Sequence, residues 1–189
     1  MRRTVIIPVA VAGLGLAACT STTPGLASTS TGSQSSAATS NGAPKVTSPK
    51  NLKAIADPCQ LLTPQQLQEI GASNPTADKS LWGEGSCIWR NDNLRIRLDP
   101  DTTHGQGLTI VYNKNKDKPD YEQTTVNGHP AIRWGKEGPF CSVFVGVSDT
   151  QVLSADVAVL REVKPQYKDR CALVDKVAGM VLSNLPAAG

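Results

Sequence analysis

Five cysteines constrain this chain more than any other feature: Cys19, Cys59, Cys87, Cys141 and Cys171. The first is set apart by what precedes it. Arg2 and Arg3 open the chain, and Val5 to Ala18 carry no charge and are mostly apolar. Such a run falls short of the roughly 20 residues a membrane-spanning helix needs, and it has the length of a signal-peptide core. A chain exported by such a segment enters an oxidising compartment, where its other four thiols pair. The sequence therefore predicts a small exported domain stapled by two disulfides.

The residues Leu16-Ala17-Ala18-Cys19 resemble the lipobox of bacterial lipoproteins. The resemblance implies cleavage after Ala18, so that 1–18 is the signal peptide, and diacylglycerol on the Cys19 sulfur. The Arg2-Arg3 pair lacks the apolar residues a twin-arginine signal places after it, so ordinary secretion is expected. One acyl chain binds a bilayer only marginally, whereas two or more hold a protein there. The expectation is a monomer on the extracytoplasmic face of the cell membrane, anchored by lipid and without a transmembrane helix. Between Thr20 and Lys50 nearly every residue is Ser, Thr, Ala, Gly or Pro, and only Leu26 and Val46 are larger apolar side chains. A segment of that composition cannot offset its ordering entropy by burial. Residues 19–50 are therefore expected to be a disordered tether with a span of roughly 30 Å. One domain is expected over 51–189, large enough to bury about two-thirds of its unfolded surface.

The formal charge of +3 is misleading. Arg2, Arg3, Lys45 and Lys50 precede the domain and every acidic residue lies within it, so the domain itself is close to neutral. No basic excess points to nucleic acid.

Asp57-Pro58-Cys59-Gln60-Leu61-Leu62-Thr63-Pro64-Gln65-Gln66 opens the domain. Thr63 suits an N-cap, Pro64 the first helical position, and Gln66 completes a capping box; the helix is expected to run to Ile70 and stop at Gly71. A Gly/Ser/Asn-rich loop follows. Cys87 and Trp89, then Leu94, Ile96 and Leu98, alternate with polar residues around a turn at Asn91-Asp92-Asn93. Leu108 to Tyr112 is expected to be a further strand. Thr124–Val126 and Ala131–Trp134 flank Asn127-Gly128, a strong hairpin signal, with Pro130 at a strand's start or on an edge. Phe140 to Val147 and Gln151 to Leu160 form another hairpin across Ser148-Asp149-Thr150. The final segment, about Lys168 to Leu185, places Cys171, Val174, Ala178, Val181, Leu182 and Leu185 on one helical face. The class is α+β: an antiparallel sheet of about five to seven strands, with an N-terminal and a C-terminal helix packed on one face. Cys59–Cys87 with Cys141–Cys171 is the favoured pairing, because each bond then joins a helix start to a neighbouring strand. The rival pairing, Cys59–Cys171 with Cys87–Cys141, stays open.

A wider resemblance rests on a set of motifs in order. They are Asp-Pro-Cys-x-Leu-Leu-Thr-Pro at Asp57–Pro64, Cys-x-Trp at Cys87–Trp89, Val-Asn-Gly-x-x-Ala at Val126–Ala131 and Cys-Ser-Val at Cys141–Val143. A cysteine at Cys171 opens the last helix, which ends at Leu185-Pro186. From about Ala56 to Pro186 the chain resembles the actinobacterial secreted lipoprotein family built on a domain of unknown function, the LprB/LprC-like group. That resemblance implies a secreted, usually lipid-anchored domain with paired cysteines, and it supplies no agreed activity.

The chemistry-bearing residues form no complete catalytic set. Gly83-Glu84-Gly85-Ser86-Cys87 lacks the glycine that a nucleophile elbow requires two residues after the serine, where Ile88 stands. The two histidines, His104 and His129, lie in turn-like stretches and are expected at the surface. Asp99 and Asp101 around Pro100 read first as turn residues, as do Asp117 and Asp120 around Lys118-Pro119. Lys114, Lys116 and Lys118 read as a solvated loop. No histidine stands at ligand spacing from a cysteine, so neither a metal nor a cofactor is expected. Trp89 is expected in the core beside the Cys87 disulfide, while Trp82 and Trp134 are the candidates for a binding patch. The leading expectation is a non-enzymatic envelope domain that binds a protein partner or a small ligand. One alternative is a cell-wall hydrolase or transferase using paired carboxylates such as Glu84 and Asp101. The other is a sensor lipoprotein that regulates a membrane kinase.

Overall fold

The computed structural model describes residues 42–189. The predicted signal peptide, Cys19 and most of the predicted tether lie outside the described residues. Helix α1, Pro64–Ile70, begins at the expected capping box: Thr63 Oγ1 accepts from the Gln66 amide while Gln66 Oε1 accepts from the Thr63 amide. It ends at Gly71, whose φ of 74° a side chain would oppose.

Seven strands form one antiparallel sheet in the order β1-β2-β3-β7-β6-β5-β4. Their ranges are β1 Pro75–Lys79, β2 Gly85–Arg90, β3 Leu94–Asp101, β4 Glu122–Val126, β5 His129–Trp134, β6 Phe140–Gly146 and β7 Val152–Val159. Two meanders thus meet where β3 pairs with β7. Asn91 shapes the β2–β3 turn by accepting from the amides of Asn93 and Leu94. Asn127 and Gly128 both take positive φ, 48° and 79°, as the two-residue β4–β5 hairpin requires.

Strand alternation divides the sheet into two faces. On the inner face Cys87, Trp89, Ile96, Leu98, Val143, Val145, Leu153 and Val157 are buried. They pack against α1 and against α3, Arg170–Asn184, through Leu173, Val174, Val177, Ala178, Val181 and Leu182. Both favoured disulfides are present, with Cα separations of 5.0 Å for Cys59–Cys87 and 5.2 Å for Cys141–Cys171. Each joins the helical side to the inner face of the sheet.

Several expectations are corrected. Leu108 to Tyr112 is not a strand but the start of helix α2, Leu108–Asn115. Its β-branched residues favour strands, but Leu108 and Val111, one helical turn apart, bury together with Ile132 and Val152 on the outer face. The N-terminal and C-terminal helices, α1 and α3, pack on one face as expected, and α2 covers part of the other. Strand β1 occupies part of the expected loop; all five of its residues are exposed, so no burial alternation announced it. Asp99 and Asp101 belong to β3 rather than to a turn, and His129 is buried, its Nδ1 donating to the Gly146 carbonyl at 2.9 Å. The end of the expected tether also lies on the domain. Ala43 is buried in the α2 cluster, and the Lys50 amide donates to the Val147 carbonyl at 2.9 Å.

Candidate functional site: a cleft on the outer face

The outer face carries a polar row flanked by aromatic rings. Strand register fixes it: Trp134 pairs with Ser142, Ser142 with Asp156, and Asp156 with Arg97. In the next row Phe144 pairs with Ser154, and Ser154 with Asp99. Residues of one face recur every second position, so these seven strand positions share a surface. Helix α2 stands over one side with Ile110, Val111, Lys114 and Asn115, and the β1–β2 loop contributes Leu81 and Trp82 on another. The result is an open cleft of about 340 Å³.

Trp82 and Trp134, the two candidates for a binding patch, both line this cleft, with Phe140 and Phe144. Both are half-buried rather than projecting into solvent. The Lys118 ammonium lies 4.6 Å from the centre of the Trp134 ring, a cation–π contact at the cleft's edge. Leu81, 99% exposed, is the most solvent-facing large apolar side chain of the domain. Trp89, by contrast, is buried in the core below Cys87, as expected.

The floor holds two carboxylates with different partners. Asp99 takes the Arg97 Nε at 2.8 and 2.9 Å on its two oxygens. The rest of that guanidinium is committed to Asp78 and to the Lys79 carbonyl, both at 2.7 Å. Among the described residues, no cation is in contact with Asp156. It accepts from the Ser142 hydroxyl, and the Ser154 hydroxyl lies 3.5 Å from its other oxygen. Burial pushes the Asp156 carboxyl above its ordinary pKa, and the neighbouring Asp99 charge adds to this; the Ser142 hydrogen bond and the charges of Arg95 and Arg97 oppose it.

Sequence reasoning missed Asp156, Ser142 and Ser154. The alternation that would have placed them was legible, but a polar residue on the outer face of a strand ordinarily reads as solvated. Only the cover supplied by α2 and the Trp82 loop turns that face into a cleft.

Glu84, Asp101 and His104 do converge, with one potential ligand atom from each lying within 4.8 Å of the others. The geometry is that of a loop clamp. Glu84 accepts from both amides and both hydroxyls of Thr102 and Thr103, at 2.8 to 3.0 Å. Burial raises its pKa, but these hydrogen bonds outweigh that and hold it below the ordinary range. Asp101 Oδ1 accepts from the Thr103 and His104 amides and lies 3.0 Å from His104 Nδ1. Glu84 and Asp101 thus tie the β3–α2 loop to the start of β2.

A second hollow, at the first turn of α3, is bordered by Arg133, Lys136, Lys168 and Arg170, with Asp169 and Asp175 among them. Arg133 is already paired to Glu122 and Asp175. No helix among the described residues is long and apolar enough to cross a membrane.

Comparison with known proteins gives a family without an activity. No curated protein and no solved structure matches the chain. One family model does, over residues 14–184, which takes in nearly the whole sequence from the end of the apolar run onward. This chain belongs to the family described as protein of unknown function (DUF3558).

Proposed function

We propose that this chain is a lipid-anchored lipoprotein of an actinobacterial envelope whose single domain binds a small ligand in the outer-face cleft, as an accessory protein rather than an enzyme. The observation that carries the binding reading is the meeting of Trp82 and Trp134 around one cleft with a polar floor. Apolar walls with a few convergent polar groups are the usual composition of a small-molecule site. The volume, about 340 Å³, suits a compact ligand rather than a protein segment. What supports the envelope reading is the apolar run before Cys19 and the two disulfides.

Two experiments test these parts separately. Cys19→Ser in the native host should abolish incorporation of labelled fatty acid and block cleavage after Ala18; fatty-acid labelling that survives the substitution would overturn the anchor. For the cleft, a metabolite library should give hits that raise the Tm of the wild-type chain and fail to raise that of Trp82→Ala. Hits indifferent to Trp82 and Trp134 would overturn the site.

One observation favours a second reading, hydrolysis of a wall glycan. Asp99 and Asp156 are diagonal neighbours on adjacent strands, their backbone positions roughly 7–8 Å apart by sheet geometry. Two carboxyl groups on one cleft floor are the side chains that such hydrolysis uses. The reading requires release of reducing ends from a wall polysaccharide, abolished by Asp156→Asn; a wild-type chain that releases none excludes it.

A further inference from the structure

Asp156 sets what the cleft can hold. Ligands enter an apolar site with a cost for any charge they bring, unless a counter-charge waits there. Here one does. Among the charged groups around Asp156, Arg97 is spent on Asp99, Asp78 and the Lys79 carbonyl, and Arg95 makes no ion pair with it. Lys114 lines the cleft from α2 but is an exposed side chain. Asp156 itself is satisfied only by serine hydroxyls. The floor thus presents a carboxylate without a counter-ion beneath aromatic walls.

We infer that the cleft selects small organic cations, with a protonated amine on Asp156 and an apolar or aromatic body against Trp82 and Trp134. This rests on the reading of the cleft as a binding site. The Trp82 ring reinforces the preference, since its quadrupole attracts cations, while Trp134 already holds Lys118 on one face. The Ser142 and Ser154 hydroxyls accept the ammonium's remaining hydrogens. Asp156 disfavours anionic ligands, Asp99 being neutralised by Arg97.

The test uses the full-length chain and two probes of nearly equal shape, 2-phenylethylamine and 2-phenylethanol, titrated by tryptophan fluorescence. The amine should bind roughly tenfold tighter or more, the range for one charge-assisted hydrogen bond. Asp156→Asn should erase that preference while leaving alcohol binding in place. In the wild type, the preference should fade as pH is lowered through the titration of Asp156, with alcohol affinity unchanged. That titration carries the test if the asparagine variant does not fold. Equal affinity for the two probes would overturn the cation preference and leave the binding cleft standing. A preference that survives Asp156→Asn would also overturn it, by moving the charge elsewhere. Absence of binding by both probes, with no change on Trp82→Ala or Trp134→Ala, would overturn the cleft reading and the preference with it.

Discussion

A carboxyl group held in poor solvent without a counter-charge leaves a thermodynamic trace apart from any ligand. The folded pKa of Asp156 stands above its unfolded value. Between the two values the folded chain binds more protons than the unfolded one, so stability falls as pH rises. The contribution is full below the ordinary aspartate range and is lost as pH climbs through the raised folded value. Asp156→Asn keeps a carbonyl oxygen for the Ser142 hydroxyl and removes the charge. It should be more stable than wild type at neutral pH and indistinguishable below the ordinary aspartate range, by urea unfolding at a series of pH values. A variant that is less stable at neutral pH would mean that Arg95 and Arg97 already compensate the charge. Thr63 makes the opposite kind of contribution, local and independent of pH. Its hydroxyl fills the N-cap of α1, and Thr63→Ala should cost about 1 kcal/mol in the same assay.

Helix α2 is the element that converts a sheet surface into a site. Its anchor is Gly107, with φ 49°, where an added Cβ would lie 2.6 Å from the Asp149 carbonyl oxygen. That is main chain meeting main chain, so no side chain can swing aside. Gly107→Ala should therefore shift α2 away from the β6–β7 turn and open the cleft wall formed by Ile110 and Val111. The core beneath α1 and α3 is separate, so overall folding should survive while the fluorescence of Trp82 and Trp134 moves toward that of solvated indole. Unchanged emission would show that α2 tolerates the shift.

Across the whole molecule, the disulfides close loops of 28 and 30 residues and bind the helical layer to the sheet at both ends. Each should stabilise by roughly 3–4 kcal/mol through the entropy of the unfolded chain. Replacing Cys141 and Cys171 together by serine should lower the denaturation free energy by about that amount. A far smaller loss would indicate that the helical layer is held by apolar packing alone. The inner face is well placed to share that role, since β6 and β7 supply an unbroken apolar surface to α3.

Much of this architecture was legible in the chain. The capping box at Thr63, the Asn127-Gly128 hairpin, the alternation through Cys87–Leu98 and Cys141–Val147, and the apolar face of the last helix are local signals. Each states its own structure within a few residues. Placing those elements side by side favoured the disulfide pairing, and the folded structure decided it against its rival. What tertiary structure decided is where local preference and global packing disagree. Leu108–Tyr112 has strand-forming side chains, yet it folds as a helix because the outer face of β5 and β7 offers Ile132 and Val152 to be covered. Strand β1 has no apolar pattern and exists through its ladder to β2. Trp82 and Trp134 could be named as candidates from the sequence, but their meeting over Asp156 depends on strand order, which brings β7 between β3 and β6. Sequence periodicity fixes which way a side chain faces along its own strand. Only the folded sheet fixes what stands beside it, and the cleft is made of such neighbours.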